Sequence, residues 1–331
     1  MKIMVFGARV DEIPYLRQWA KTHAIALTIR PELLNAETVA LAAGYDGLNC
    51  LQTTPYSAQL FAKMGQLGIK YLTIRNVGTD NIDFAAAARA GVKIANTPAY
   101  SPNAIAEFAV TLTLNLLRQL GAVAAALRAG DYPKATTFIG RELAQQTVGV
   151  IGAGRIGRAA IKLFAGFGAR VLIYDPHPTP APDLPGTYVS LPELFQQSDV
   201  IDLHVPGIAA NTHLIDAQAL AQMKSDALVI NTARGNLIDT QALLTALKTG
   251  HLGGAGIDTF ENESAALLAL ERDGYFHDPL WDDLAALDNV LLAPHIAYYT
   301  QTAVHNMVFY SLQYLVDFLT NGHTDTEVSA H

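Results

Sequence analysis

The pattern of apolar and polar positions along the chain predicts an alternation of strands and helices. Short apolar runs rich in Val, Ile and Leu are separated by stretches in which apolar residues recur at helical spacing. Helices are predicted to begin near Asp11 and Asn35, which are favourable N-cap residues. In the first hundred residues five strands are predicted: Lys2–Phe6, Ala24–Ile29, Gly47–Leu51, Tyr71–Arg75 and Val92–Ala95. This alternation is typical of βα units that form a parallel sheet.

A boundary follows, where Pro98 and Pro102 interrupt the pattern. Ser101 is the predicted cap of a long helix, residues 103–128, with Pro102 in its first turn. A second series of βα units then begins, with six predicted strands: Thr147–Ile151, Arg170–Tyr174, Val200–His204, Ala227–Asn231, Gly254–Asp258 and Asn289–Ala293. Six strands interleaved with helices fit a complete doubly wound nucleotide-binding domain. The last predicted element is an amphipathic helix, Thr302–Thr320, and no strand is expected after it.

The composition argues against several classes of protein. The chain has 331 residues, of which 50% are hydrophobic and 16% are charged, so two large cores are expected. With 22 basic against 30 acidic side chains, its formal net charge of -8 argues against nucleic-acid binding. Charged residues interrupt the apolar stretch 104–129, and the N-terminal apolar run is too short for a signal peptide, so neither a membrane span nor export is expected. A single cysteine, Cys50, allows no disulfide within the chain, and a cytoplasmic protein is expected.

A glycine pattern, G-A-G-R-I-G beginning at Gly152, stands between a predicted strand and a predicted helix. In that context the pattern indicates a dinucleotide-binding turn. Gly152 would allow the tight turn, Gly154 would let the backbone approach the pyrophosphate, and Gly157 would let the helix pack closely on the strand. The phosphates would lie at the helix N-terminus, with Arg155 and Ile156 among the cofactor-binding residues, because free N–H groups and the helix dipole favour negative charge there.

An acidic residue, Asp175, stands 18 residues after Gly157, at the end of the next predicted strand. A carboxylate at this place accepts hydrogen bonds from the adenosine ribose hydroxyls and repels a 2′-phosphate. The residues that follow, 176–178, include no arginine that would bind such a phosphate. The sequence therefore predicts NAD rather than NADP as the cofactor, and a turn cap is the alternative interpretation of Asp175.

Polar residues follow three predicted strands of the second series, at the carboxyl ends where ligands bind in doubly wound sheets. Arg234 follows one strand, Glu263 lies five residues past Asp258 of the next, and His295 follows the last. An imidazole titrates near neutral pH and transfers protons, and a guanidinium matches a carboxylate. Hydride transfer to a 2-oxo acid requires such a proton donor and such a cation.

Together these segments resemble the D-isomer-specific 2-hydroxyacid dehydrogenase family over essentially the whole chain. Besides the glycine pattern, the resemblance rests on three motifs: Asn231–Gly235, Gly256–Asp258 and Ala293–His295. The segments Arg75–Gly78 and Tyr100–Glu107 are similar to the D-lactate dehydrogenase branch of the family. Within that branch, Leu51–Tyr56 and Pro294–Tyr299 are most similar to the D-2-hydroxyisocaproate dehydrogenases.

The resemblance implies a catalytic set of three residues. His295 would be the general acid in reduction and the base in oxidation. Glu263 would lie against the other ring nitrogen, fix the tautomer and raise the pKa of His295, with Glu261 as the alternative partner. Arg234 would bind the substrate carboxylate and stabilise the developing alkoxide. His204, which also ends a predicted strand, is expected to be structural.

Further residues are implied around the ligands. The backbone N–H groups of Val77 and Gly78 would form an anion-binding nest for the carboxylate. The implied substrate-binding residues are Asn76, Val77, Gly78, Tyr100, Leu51 and Tyr298. The implied cofactor-binding residues beyond the glycine pattern and Asp175 are Val205, Pro206, Asn211, Thr232, Ala233, Arg234 and Asp258. Packing alone is the alternative interpretation of Tyr100 and Tyr298.

The fold class expected from this is α/β, with two doubly wound parallel-sheet domains and a cleft between them. A Rossmann-like NAD-binding domain, residues 101–299, would be inserted in a flavodoxin-like substrate domain, residues 1–100 and 300–331. The helix that begins near Pro102, with the alanine-rich segment Ala122–Ala126, would form the contact of a homodimer.

The expected function is the NAD-dependent reduction of small 2-oxo acids to D-2-hydroxy acids, without a metal ion, because the histidines lack metal-ligand spacing. Leu51 stands where similar D-lactate dehydrogenases have a tyrosine, so branched or aromatic substrates such as 2-oxoisocaproate and phenylpyruvate are expected to be preferred. Two alternatives stay open at this point. One is a D-lactate dehydrogenase that acts mainly on pyruvate, and the other is a non-enzymatic, corepressor-like module that binds NADH.

Overall fold

The computed structural model describes residues 1–179, 181–261, 263, 270 and 273–329. The chain divides into two compact units. The first unit is Met1–Ser101 together with Tyr299–His331, and the second unit is Pro102–Tyr298. The domain limits predicted from the sequence, after residues 100 and 299, lie one residue from these divisions.

Strands and helices alternate through most of both units. The strands are β1 (Ile3–Phe6), β2 (Leu27–Ile29), β3 (Gly47–Cys50), β4 (Tyr71–Ile74), β5 (Lys93–Ala95), β6 (Thr147–Ile151), β7 (Arg170–Tyr174), β8 (Thr187–Tyr188), β9 (Val200–Leu203), β10 (Leu228–Asn231), β11 (Gly254–Ile257), β12 (Val290–Leu292) and β13 (Glu327–Val328). The α-helices of the described residues are α1 (Ile13–His23), α2 (Ala58–Gln66), α3 (Phe84–Arg89), α4 (Pro102–Leu117), α5 (Leu120–Arg128), α6 (Tyr132–Ala135), α7 (Arg155–Gly166), α8 (Leu191–Gln197), α9 (Ala217–Gln222), α10 (Thr240–Lys248), α11 (Pro279–Ala285) and α12 (Gln301–Asn321).

The first unit contains a six-stranded sheet in the order β13-β5-β4-β3-β1-β2. The pairs are parallel except for β13, which runs antiparallel to β5. Successive side chains of β1 point to opposite faces: Met4 and Phe6 pack in the core that contains α2, and Ile3 and Val5 pack against α1 and α12. Both faces are therefore covered, which explains why these strands are almost uniformly apolar.

The second unit contains a seven-stranded parallel sheet in the order β12-β11-β10-β9-β6-β7-β8. One face packs against α4 and α7 and the other against α8, α9 and α10. The strand β6 lies between β9 and β7, so the order of the strands reverses there. In doubly wound sheets the crevice at the carboxyl end of such a reversal binds the ligand.

The prediction of a single helix over residues 103–128 is wrong. The structure has two helices, α4 and α5, which are bent by 61° where Gln119 adopts a left-handed conformation, with φ +51°. Over the described residues no single helix is long and apolar enough to cross a membrane, and α4 with α5 meets that test only as this bent pair. Eight of the residues of α4 are buried, as a helix of a protein core requires.

Three other predictions also need correction. A 3-10 helix, Thr38–Ala42, replaces the α-helix predicted near Asn35, whose side chain accepts hydrogen bonds from the N–H groups of Glu37 and Thr38. A seventh strand, β8, extends the second sheet, and β13 follows the last helix, where no strand was expected. Both strands have two residues, too few to show a periodic pattern, and they exist because a sheet edge is available to pair with them.

Candidate active site

The glycine turn directly follows β6 at the reversal of the strand order. Gly152 has φ +102°, and a Cβ built on it would lie 2.6 Å from the carbonyl oxygen of His204. A Cβ on Gly157 would lie 1.9 Å from the carbonyl oxygen of Gly152. The first contact fixes the turn against the end of β9, and the second lets α7 begin directly above the turn.

Gly154, by contrast, faces open space. Among the described residues, no atom lies within 4 Å of a Cβ built on it. It is the N-cap of α7 and its backbone is extended, and no side chain of the described chain caps the helix there. The backbone N–H groups at Arg155 and Ile156 therefore begin a helix whose positive end is accessible to an anion. This open, uncapped turn fits the pyrophosphate of a dinucleotide.

Asp175 follows β7, the strand beside the glycine turn. Its Oδ2 accepts a hydrogen bond from the N–H of Ala153 at 2.7 Å, and its Oδ1 accepts one from the N–H of His177 at 2.8 Å. The carboxylate is half-buried. These contacts make it a turn cap, as in the alternative interpretation, but each oxygen retains a second lone pair for a ribose hydroxyl. The two hydrogen bonds orient the carboxylate, and each oxygen can still accept a further hydrogen bond.

Two of the three predicted catalytic residues, Glu263 and His295, lie beyond the carboxyl ends of β11 and β12. His295 Nδ1 and Glu263 Oε1 are 2.8 Å apart, although 32 residues separate them in the chain. The backbone N–H of His295 donates to the carbonyl oxygen of Asp258 at 2.8 Å. His295 is left-handed, with φ +57°, a conformation that is costly for a residue with a Cβ and that is concentrated at functional sites.

The buried carboxylate of Asp258 holds the segment after His295. Its two oxygens accept hydrogen bonds from the N–H groups of Ile296 at 2.8 Å and Ala297 at 2.9 Å. Burial raises the pKa of Asp258, and these N–H groups and the charge of His295 oppose that rise. The strained backbone at His295 is thus stabilised on both sides of the residue by Asp258.

The pKa of His295 is raised. Burial is the largest single effect and lowers the pKa, but the hydrogen bond to Glu263 and the charges of Glu263 and Asp258 together outweigh it. The positive charge of Arg234 also acts in the lowering direction. The imidazolium form is therefore more stable than that of a histidine free in solution.

The structure distinguishes the two carboxylates that the sequence left as partners of His295. Glu263 makes that contact, and its Oε2 also accepts a hydrogen bond from the N–H of Phe260 at 3.1 Å. Glu261 instead binds His213, with 2.6 Å between Oε1 and Nε2. Two acidic residues in one short segment therefore serve two different histidines.

Arg234 lies on a turn after β10. The side chain of Asn231 spans this turn, since its Oδ1 accepts from the N–H of Ala233 and its Nδ2 donates to the carbonyl oxygen of Arg234, at 3.0 and 2.9 Å. One guanidinium nitrogen of Arg234 donates to the carbonyl oxygen of Ala233 at 2.7 Å. The hydroxyl of Thr232 is buried and has no hydrogen-bond partner among the described residues. A buried donor of this kind needs a partner, and the implied cofactor would supply one.

The remaining predicted cofactor residues lie after β9. Val205 is buried, Pro206 is exposed, and the side chain of Asn211 donates to the carbonyl oxygen of Pro206 at 2.9 Å, which closes the loop. His204, expected to be structural, has its Nε2 2.8 Å from Oδ2 of Asp202, and both side chains are fully buried. Tyr298 is half-buried and meets the ring of His295 edge-on, with 6.3 Å between the centroids.

In the first unit, the predicted substrate-binding residues follow two neighbouring strands. Leu51 follows β3 directly, and the segment 76–78 lies just past β4. Two backbone carbonyl oxygens of this loop accept hydrogen bonds from side chains. Asn76 Nδ2 donates to the carbonyl oxygen of Gly78, and Asn96 Nδ2 donates to that of Val77, each at 2.7 Å. Tyr100 is buried, and its carbonyl oxygen accepts from Asn306.

The backbone at Leu51 and the residue after it contact two other segments of the first unit. A Cβ on Gly7 would lie 2.2 Å from the carbonyl oxygen of Leu51, so the two segments touch. The next residue, Gln52, is buried, and its amide accepts from the N–H of Leu34 at 2.9 Å and donates to the carbonyl oxygen of Leu34 at 3.0 Å. The side chain of Leu51 itself is half-buried.

A buried ion pair behind this edge was not predicted from the sequence. Arg75 and Glu12 are fully buried and 2.8 Å apart, and Arg75 also donates to the side chain of Asn49 and to the carbonyl oxygens of Phe6 and Gly7. Arg75 therefore joins the carboxyl ends of β1, β3 and β4. The sequence did contain an indication of this ion pair, because Arg75 ends an apolar strand and a buried arginine requires a buried partner.

Residues 110–297 match the sequence model of the NAD-binding domain of D-isomer specific 2-hydroxyacid dehydrogenases. The chain belongs to this family. It is 62% identical to a D-2-hydroxyacid dehydrogenase (NAD+) of Lacticaseibacillus paracasei and 45% identical to a D-lactate/D-glycerate dehydrogenase of Pediococcus acidilactici, each over 99% of both chains.

Solved structures of the family have the same fold. A D-2-hydroxyisocaproate dehydrogenase matches with a TM-score of 0.94 and 62% identity, over 100% of both chains. An NAD-complexed D-isomer specific 2-hydroxyacid dehydrogenase from Lactobacillus delbrueckii ssp. bulgaricus matches with a TM-score of 0.87 and 31% identity, over 99% of this chain and 100% of that one. The predicted fold class of two parallel-sheet α/β domains, the family and the NAD cofactor are thereby confirmed. The chain is therefore an NAD-dependent D-2-hydroxyacid dehydrogenase.

Proposed function

We propose that this dehydrogenase reduces 2-oxo acids with branched or aromatic side chains in preference to pyruvate. The proposal rests on the apolar side chain of Leu51. This side chain is half-buried and lies directly after β3, and it has no hydroxyl group that would require a hydrogen-bond partner from a substrate. The 62% identity to a structure described as a D-2-hydroxyisocaproate dehydrogenase supports the same preference.

In this proposal the catalytic residues act as a proton donor and a carboxylate anchor. His295 donates the proton from Nε2 to the carbonyl oxygen of the substrate, while its Nδ1 stays bonded to Glu263. In the second unit, Arg234 binds the substrate carboxylate. In the first unit, we assign the N–H groups of Val77 and Gly78 and the hydroxyl of Tyr100 to substrate binding. Bound NADH supplies the hydride. In oxidation His295 accepts the proton, and its raised pKa then opposes the reaction at low pH.

The proposed cofactor site is formed by residues of the second unit, which we assign as the NAD-binding domain. The N–H groups at the start of α7, with Gly152, Gly154 and Gly157, hold the pyrophosphate, and Asp175 holds the ribose. The nicotinamide half would be bounded by Val205, Pro206, Asn211, Thr232, Ala233 and Asp258. The open space at Gly154 and the unpaired Thr232 hydroxyl support this arrangement. The first unit is then the substrate domain.

A panel of 2-oxo acids that differ only in side chain tests the substrate proposal. Initial rates of NADH oxidation give kcat/KM for pyruvate, 2-oxobutyrate, 2-oxoisocaproate and phenylpyruvate. Each buried methylene contributes about 0.8 kcal/mol, so the three additional carbons of 2-oxoisocaproate should raise kcat/KM by about 50-fold over pyruvate. A higher value for pyruvate would favour the D-lactate dehydrogenase activity named for relatives at 45% and 43% identity. No turnover of any acid would favour a module that only binds NADH.

We also propose that the enzyme is a homodimer that associates through the region from α5 to residue 139, which continues the chain after α4. Four of the exposed large apolar side chains lie in this one stretch of sequence: Leu120 (54%), Leu127 (43%), Tyr132 (66%) and Ile139 (86%). A contact with a second copy of the chain would remove this apolar surface from water. Ile139→Asp should shift the mass measured by light scattering from dimer to monomer. Leu41→Asp, which changes an exposed leucine of the first unit, is the matched control and should leave the mass unchanged.

A further inference from the structure

Another acid–histidine pair, His213 with Glu261, includes a carboxylate two residues from Glu263. His213 Nε2 and Glu261 Oε1 are 2.6 Å apart, with side chains 40% and 27% exposed. His213 has φ +52°, so its backbone, like that of His295, is in the left-handed region. Such a conformation is costly for a residue with a Cβ and persists only where the surroundings hold it.

Glu261 binds a third element through its other oxygen. Oε2 accepts a hydrogen bond from the hydroxyl of Thr240 at 2.9 Å and from its N–H at 3.3 Å. Thr240 is the first residue of α10 and is buried. The carboxylate of Glu261 therefore joins its own segment after β11, the start of α10, and the segment of His213.

The turn of Arg234 lies between the segments that this pair joins. Asn236 contacts one of these segments at two places. Its backbone carbonyl oxygen accepts a hydrogen bond from the N–H of His213 at 2.8 Å, and the side-chain Nδ2 of Asn236 donates to the carbonyl oxygen of Gly207 at 3.1 Å. A Cβ on Gly207 would lie 2.9 Å from Cγ of Arg234. On the other side, a Cβ on Gly235 would lie 2.0 Å from the carbonyl oxygen of Phe260, so the turn is packed closely against the segment of Glu261.

We propose that His213 and Glu261 are positioning residues for Arg234. Their contact joins three parts of the chain near the Arg234 turn: the segment that contains Gly207 and His213, the segment that contains Phe260 and Glu261, and the start of α10. Because Glu263 lies two residues after Glu261, the same contact sets the guanidinium in register with the Glu263–His295 pair. This inference rests on the proposed role of Arg234 as the carboxylate anchor.

The electrostatics of the pair make the tie dependent on pH. The hydrogen bond to Glu261 is the largest cause that raises the pKa of His213; burial opposes it, and the charges of Glu261, of Asp239 at the N-cap of α10 and of Asp216 at the N-cap of α9 add to the rise. A raised pKa in the folded state means that the ion pair is complete below the ordinary pKa of histidine and weakens as the pH rises through the raised value. The affinity for the 2-oxo acid should fall over the same range.

The test compares His213→Asn and Glu261→Gln with the wild-type enzyme. Asparagine tolerates the left-handed backbone but is too short to reach Glu261, and glutamine keeps the shape of Glu261 without its charge. Both variants should raise KM for 2-oxoisocaproate on the order of tenfold at pH 6.5, the loss of one hydrogen bond to a charged group. The rise of KM with pH that is expected of the wild type should be absent from both, while the alkaline limit of kcat, which we assign to His295, should stay in place.

Two further measurements keep the test decisive. In the protein without ligands, the histidine side-chain NMR signal of His213 should titrate at lower pH in Glu261→Gln. His251→Asn is the matched control, because His251 is a half-buried histidine of the same unit that bonds a backbone carbonyl, and its KM profile should equal that of the wild type. A wild-type KM profile in His213→Asn overturns the inference. If Arg234→Met also leaves KM unchanged, the proposed role of Arg234 has failed instead.

Discussion

The substitution Glu263→Gln tests the proton-transfer site most directly. Both oxygens of the Glu263 carboxylate accept hydrogen bonds, Oε1 from His295 Nδ1 at 2.8 Å and Oε2 from the N–H of Phe260 at 3.1 Å. A glutamine has only one oxygen. If that oxygen stays on the backbone donor of Phe260, the amide NH2 faces His295 and donates to Nδ1, which stabilises the neutral imidazole in place of the imidazolium.

The size of the effect follows from the exposure and charge of the lost contact. The Glu263 side chain is 18% exposed, so water screens the interaction little. A hydrogen bond to a charged group contributes about 1.5–3 kcal/mol, and about 1.4 kcal/mol corresponds to a factor of ten. At a pH above the pKa of His295, the reduction rate should therefore fall about 10- to 100-fold. Well below neutral pH, where the imidazole is protonated in either enzyme, the difference should become small.

The sign of the pH dependence is fixed by the raised pKa of His295. Reduction needs the protonated imidazole, so its rate is highest below that pKa and declines as the pH rises through it. Loss of Glu263 moves this decline to lower pH, and it moves the rise of hydroxy-acid oxidation to lower pH as well. Single-turnover NADH oxidation across pH, with saturating 2-oxoisocaproate, isolates the chemical step from product release.

Glu261→Gln is the matched control, the same change two residues away on the carboxylate that contacts His213. The pH at which its kcat declines should equal that of the wild type, although its KM for 2-oxoisocaproate is raised. An unchanged alkaline limit in Glu263→Gln, or an equal displacement in both variants, would refute the assignment of Glu263 as the partner that keeps His295 protonated.

Four other substitutions test the rest of the proposed site. His295→Ala should lower kcat by about two to four orders of magnitude with unchanged NADH binding, measured by fluorescence titration; near-normal kcat would contradict its role as acid. Asp175→Ala should raise KM for NADH and permit NADPH, and equal use of both cofactors by the wild type would show that Asp175 does not select NAD. Gly154→Ala should keep the wild-type Tm, since the added Cβ meets no atom of the described chain within 4 Å, yet weaken NADH binding; unchanged affinity would remove the pyrophosphate from this turn. Leu51→Tyr should reduce the ratio of kcat/KM for 2-oxoisocaproate to that for pyruvate, and a constant ratio would refute the role of Leu51 in specificity.

Local patterns in the sequence determined the architecture and the chemistry of this dehydrogenase. Buried parallel strands must be apolar and helices that cover them must be amphipathic, so the alternation of both patterns predicted two parallel-sheet units. The glycine pattern between a strand and a helix predicted the cofactor, because a close approach of backbone to phosphate tolerates few other residues. His295, Arg234 and Asp175 were found in the same way, as charged or titratable side chains at the ends of apolar strands.

The tertiary structure alone decided which side chains meet. Glu261 and Glu263 are the same residue type and lie two residues apart, so the sequence does not distinguish them. Only the folded structure shows that Glu261 contacts His213 and Glu263 contacts His295. The partner of Arg75 is separated from it by 63 residues and by the order of strands in the sheet. Periodicity records which face of an element is buried, whereas a hydrogen bond depends on placement to within a few tenths of an ångström. That placement is set by packing between distant segments.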